Sequence, residues 1–151
     1  MRPVQVSDTF AGTVTEAERC WYDPDGWPRW VDGCERVLDV ESGWPEPGSG
    51  ITWESGPAGR GRVSERVVEY EPLRGLTLDV GDASIQGRQT VAFVPDDGAV
   101  TVELALAYRL KRESVVSPLV DRLFIRRAMA ASLARTLHRF GAELQATTRG
   151  R

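Results

Sequence analysis

Between Cys34 and about Lys111 the chain shows stretch after stretch of two-residue periodicity with no helical pattern among them, and a single long helical period follows. That order constrains the fold more than any other feature. Strands that follow one another through short turns can pair only as an antiparallel meander, because parallel neighbours need a long crossover connection. The spacing predicts strands at Cys34 to Glu41, Gly50 to Ser55, Arg60 to Tyr70, Leu73 to Val80, Ser84 to Val94 and Ala99 to Arg112. The breaks fall at Gly43 to Gly48, Gly56 to Gly59, Glu71 and Pro72, Gly81 and Asp82, and Pro95 to Gly98. The last strand is the clearest: Val100, Val102, Leu104, Leu106, Tyr108 and Leu110 share one face, and Thr101, Glu103, Arg109 and Lys111 the other.

The helical period runs from Pro118 to about Arg149, with Ser117 as N-cap, Pro118 at the first helical position and Gly150 beyond the end. Its apolar stripe is Leu119, Leu123, Ala130, Leu133, Leu137, Phe140 and Leu144. A helix of this length needs a broad apolar surface, and the sheet is the one on offer. Gly141 interrupts the helix at a cost of about 1 kcal/mol relative to alanine, which fits either close approach of a strand or a slight bend.

Ahead of the meander, alternation from Arg2 to Phe10 predicts one more strand. A helix follows, its start marked by the capping-box spacing of Thr15 and Glu18, and Asp23 to Pro28 stops it. Trp27 to Asp32 reads as a second short helical turn. The expected fold class is therefore α+β: a curved six- to seven-stranded antiparallel sheet around a long C-terminal helix, with two short helices near the N-terminus. Residues 1–151 read as one domain, long enough for one sizeable core.

Composition narrows the function. With 19 basic against 22 acidic residues, the net charge of −3 offers no general attraction to phosphate backbones, so nucleic acid is not an expected partner. No apolar run is long enough to span a membrane, and the N-terminus has no continuous apolar signal segment, so the expected location is cytoplasmic. Cys20 and Cys34 suggest neither a metal site nor a disulfide framework and are read as reduced thiols. His138 is the one histidine, on the flank of the helix stripe beside Val120 and Ala131, and no HxxxH or His/Cys/Ser grouping accompanies it. No metal, cofactor or hydrolytic triad is expected. The glycine-containing stretches Gly43 to Gly50 and Gly56 to Gly61 do not form a phosphate-binding motif.

Three pieces carry a resemblance: Trp21-Tyr22-Asp23-Pro24-Asp25-Gly26-Trp27-Pro28-Arg29-Trp30, Val67-Val68-Glu69-Tyr70-Glu71-Pro72 and Leu123-Phe124-Ile125-Arg126-Arg127-Ala128. Together with the order of elements, they resemble the polyketide cyclase/dehydrase-like branch of the START-related helix-grip superfamily, SRPBCC, over nearly the whole chain. The resemblance implies a cavity between sheet and helix for lipids, polyketides or other hydrophobic compounds, with or without catalysis. In the aromatic cyclases of that superfamily a strand tryptophan followed three positions later by arginine contributes to the active site; here Trp53 matches, and position 56 is glycine.

The expected ligand site is lined by Trp30, Trp53, Tyr70, Leu78 and Phe93, with Leu104, Leu106, Leu123 and Arg126 completing it. Trp27 and Trp44 fall near its mouth, and Trp21 in the core. Arg126 sits near the centre of the helix stripe, where an unpaired guanidinium is costly, so it either forms a structural ion pair, reaches water at the helix edge or faces the cavity. Were the protein a cyclase or dehydratase, Tyr70 or Tyr108 and Arg126 would polarise a carbonyl, and Glu65, Glu69 or Asp79 would have to accept the proton. The partner is a small hydrophobic molecule, with a protein-interaction or metabolite-sequestering role as the remaining alternative. The protomer is expected to be a monomer or weak homodimer.

Overall fold

The computed structural model describes residues 2–57, 59–111 and 118–150. The elements in order are β1 (Val4–Ala11), α1 (Val14–Trp21), a 3-10 turn (Pro24–Gly26), α2 (Trp27–Trp30), β2 (Cys34–Val40), β3 (Gly50–Ser55), β4 (Arg62–Glu71), β5 (Gly75–Gly81), β6 (Ile85–Asp96), β7 (Ala99–Leu110) and α3 (Pro118–Arg149). All seven strands form one antiparallel sheet in the order β1-β7-β6-β5-β4-β3-β2. The α+β helix-grip architecture expected from the periodicity is the architecture found. The expected N-cap Ser117 and the strand end at Arg112 lie outside the described residues, as do the side chains of Leu119 and Val120.

The first helix starts two residues earlier than expected. The sequence contains two overlapping capping-box matches, and the chain uses Thr13 with Glu16: the Thr13 hydroxyl accepts from the Glu16 N–H, and the Glu16 carboxylate accepts from the Thr13 N–H. Glu18 is thereby left free to accept from the backbone N–H of Leu73 in the β4–β5 turn. The other departure is Pro95, expected in a turn but found within β6. β5 ends opposite Ala92, so Pro95 lies where β6 has already lost one neighbour, an edge position that a residue without an N–H tolerates. Asp97 and Gly98, both at positive φ, then make the tight β6–β7 turn.

Curvature comes from irregular pairing and from one inward-facing glycine. Register shifts interrupt β2 twice and β4 between Val67 and Glu69, and each bends its strand. On β6, a Cβ at Gly87 would stand 2.5 Å from the Ala107 carbonyl oxygen, so the backbones of β6 and β7 approach as no larger residue permits.

The hollow of the sheet is filled at one end by the second half of α3. Leu133, Leu137, Phe140 and Leu144 are buried against it, and Phe140 meets Phe10, Trp21 and Trp30 at ring-centroid distances of 5.7, 4.9 and 5.1 Å. Between Arg122 and Ala128 no side chain of the helix is buried, and contact with that core begins at Met129 and Ala130. Leu123 is 53% exposed and Phe124 73% exposed, so the expected apolar stripe narrows before it reaches them.

Gly141 serves close approach. A Cβ there would lie 2.5 Å from Cε1 of Phe10 on β1. Gly141→Ala is expected to lower the melting temperature, although alanine alone would favour the helix by about 1 kcal/mol. Adding Phe10→Leu should recover the loss, measured as a positive coupling in a double-mutant cycle. Additive effects would mean that the ring moves aside at no cost.

Candidate functional site

A cavity of about 50 Å³ lies between the sheet and the middle of α3, beneath α2. Four tryptophans wall it: Trp21, Trp27, Trp30 and Trp53. Leu78, Leu104 and Leu106 form its floor, and Met129, Leu133 and Thr136 its helix side. Local rules put these side chains there. Trp53 alternates inward with Ile51 on β3, while α1 and α2 are short enough to present Trp21, Trp27 and Trp30 to one point, the rings of Trp21 and Trp30 lying 4.7 Å apart.

One acid enters this aromatic surround. Glu65 faces inward between Val63 and Val67 on β4 and is 8% exposed. Its Oε2 accepts from Trp53 Nε1 at 3.2 Å. Burial pushes its carboxyl up to about 7, against the opposing pull of the Trp53 N–H and of Arg60. Of the three acids expected as proton acceptors, Glu65 lines the cavity, whereas Glu69 and Asp79 are exposed on the other face and Asp79 pairs with Arg88.

Arg60, from the β3–β4 hairpin, closes the rim. Its guanidinium carbon lies 5.8 Å from the centre of a Trp53 ring, and its Nε donates to Asp82 Oδ2. Asp82 is held from the other side as well, since its Oδ1 accepts from the N–H groups of Ser84 and Ile85 at 2.7 and 2.9 Å. Burial raises the Asp82 carboxyl, but these donors and Arg60 together bring it below the ordinary aspartate range. At the α3 side of the rim, Asp32 accepts from Ser132, Arg135 and Arg139, which fixes the end of α2 to the helix. Gln89 and Thr136 supply the remaining polar groups.

Five of the nine residues expected to bind ligand line this cavity: Trp30, Trp53, Leu78, Leu104 and Leu106. Phe93 is buried instead in the neighbouring core, edge-on to Trp21 and Tyr22. Tyr70 is half-buried on the inner face opposite Leu76, but further along β4 than the cavity, where its ring packs 5.5 Å from that of Tyr22. Leu123 lies on the exposed half of α3. Arg126 does not enter the cavity: its Nη1 donates to the Arg2 carbonyl at 2.7 Å and its Nη2 to the Pro3 carbonyl at 3.2 Å, tying α3 to the start of β1. Tyr108 stands on the inner face of β7 near Arg126, its phenol raised by burial and lowered by that arginine. His138 is exposed.

Trp21 and Trp27, expected in the core and at the mouth, are walls, and Arg60 and Gln89 join them without having been expected. Cys20 and Cys34 are free, with burial pushing both thiols up to about 11, so neither is poised as a nucleophile. No helix among the described residues is long and apolar enough to cross a membrane.

The family described as polyketide cyclase / dehydrase and lipid transport matches residues 1–145. This chain belongs to that family. Among solved structures, a START superfamily protein from Mycobacterium smegmatis superposes with a TM-score of 0.76 at 12% identity, covering 97% of this chain and 99% of that one. The di-domain ARO/CYC StfQ of the steffimycin biosynthetic pathway gives 0.75 at 17% identity, over 97% of this chain and 52% of that one. A conserved protein from Geobacillus kaustophilus gives 0.73 at 11% identity, over 95% of each chain. At such identities the likeness establishes the fold, that of the SRPBCC superfamily. No curated protein sequence matches the chain.

Proposed function

We propose that this family member binds a small, mainly apolar molecule between the sheet and α3, with one polar group of the ligand meeting Glu65. The observation that carries this reading is a buried carboxyl group facing a cavity walled by tryptophan. An acid there destabilises the fold at neutral pH, and a neutral or apolar side chain would serve packing better. Its second oxygen makes no hydrogen bond among the described residues and is left for a guest. The rings of Trp30 and Trp53 and the side chains of Leu78, Leu104 and Leu106 would contact the guest's body, burying apolar area worth about 25 cal/mol per Å².

The cavity of about 50 Å³ holds a few water molecules, whereas ligand pockets commonly measure about 300 to 1,000 Å³. A guest therefore enters by displacing a wall. Met129, flexible and half-buried, and the first half of α3, which packs little against the sheet, are the elements able to give way.

Native mass spectrometry of the protein from its own host should show a retained small molecule, and an apolar panel should raise the melting temperature. Absence of both effects would refute ligand binding.

A second reading, catalysis of the cyclase or dehydratase class, draws on the same residue. A buried carboxyl group that titrates near pH 7 is suited to take or give a proton at neutral pH. On this reading Glu65→Gln abolishes turnover of a polyketide-like substrate while affinity changes by no more than a few fold.

A further inference from the structure

The rim of the cavity carries an arginine whose donors are largely unspent. Arg60 Nε is committed to Asp82, but its two terminal amino groups make no hydrogen bond among the described residues, and the side chain is 34% exposed against 3% for Asp82. The guanidinium lies over Trp53, so it is positioned by an aromatic face that also walls the cavity. Asp82 does not depend on it for satisfaction, since Ser84 and Ile85 bond its other oxygen. Arg60 can therefore offer its outer edge to a second acceptor without orphaning a buried acid.

From this arrangement we infer that the ligand is a carboxylate: its apolar body enters between the tryptophans, and its carboxyl head stays at the rim on the terminal nitrogens of Arg60. This rests on the cavity being the ligand site. A planar guanidinium matches a carboxylate with two parallel N–H···O bonds, and at a rim shielded on one side by an indole ring that pairing keeps more of its strength than in open water. Glu65, deeper in the cavity, does not cancel the attraction, because burial favours its neutral form and lets it donate to the guest. Asp82 is the competitor, but it engages only Nε and leaves the terminal nitrogens to the guest.

The test uses matched probes, 1-naphthoate and 1-naphthamide, titrated calorimetrically into the full-length protein at pH 7. The acid should bind at least about tenfold more tightly than the amide, the equivalent of one charge-assisted hydrogen-bonded contact. Arg60→Gln should remove that preference, bringing acid and amide to the same affinity. Asp82→Asn, which keeps an acceptor for Ser84 and Ile85 but frees the guanidinium, should strengthen acid binding several fold; it moves affinity the opposite way and does not depend on Arg60→Gln folding well. Equal binding of acid and amide by the unaltered protein would overturn the head-group assignment and leave the cavity reading standing. Failure of both probes to bind would overturn both.

Discussion

Glu65→Gln should stabilise the protein at pH 8 by as much as about 3 kcal/mol and leave it nearly unchanged at pH 4.5. The sign follows from where the proton sits. In the unfolded chain this carboxyl titrates at its ordinary value of 4.5, and in the folded protein at about 7. Between those values the folded state holds a proton that the unfolded state has released, so stability is greatest below pH 4.5 and declines as pH rises through 7. Glutamine keeps an oxygen for the Trp53 N–H and never ionises, so its curve lacks the decline. Asp32 and Asp82 are both held below the ordinary range, and what they contribute is lost only at lower pH, equally in both proteins. Urea denaturation at intervals from pH 4 to 8 measures the difference directly. Parallel curves would mean that water reaches Glu65, and the dry carboxyl on which the functional reading depends would be gone.

Phe140→Ala should cost about 4 kcal/mol, a large share of the 5 to 15 kcal/mol that holds a domain of this kind together. Phe140 is fully buried and joins β1, α1 and α2 to α3 through Phe10, Trp21 and Trp30, so its removal leaves a void that three rings on three elements cannot close together. Phe124→Ala on the same helix should change stability by no more than about 0.5 kcal/mol, because that ring is 73% exposed. Comparable losses at the two positions would mean that α3 is gripped along its whole length, and the displaceable first half would have to be abandoned.

The sequence made the architecture legible because the pattern of each element agreed with its neighbours. β7 alternates without interruption, β3 is bounded by glycines on both sides, and α3 begins with a proline; these elements were found where the pattern put them. The site was legible where alternation held. Trp53, Leu78, Leu104 and Leu106 follow from strand phase, and they line the cavity. Past an irregularity strict alternation failed: the register shift after Val67 turns Glu69 outward and Tyr70 inward, and Tyr70 misses the cavity by its position along β4 rather than by its direction. Helical phase failed for Leu123 and Arg126 for another reason, since periodicity gives the direction of a side chain and not whether a partner surface extends that far. Arg60 was expected to open the fourth strand, which begins instead at Arg62, and only the folded hairpin brings it over Trp53.

The order of strands has a consequence for synthesis. Among the described residues β1 pairs with β7 alone, Val4 standing opposite Leu106, about a hundred residues along the chain. As the polypeptide leaves the ribosome, its first strand must wait with both edges bare while five others zip together in turn. Such a segment is an obvious substrate for chaperones, and closure of so wide a loop is a natural slow step in maturation.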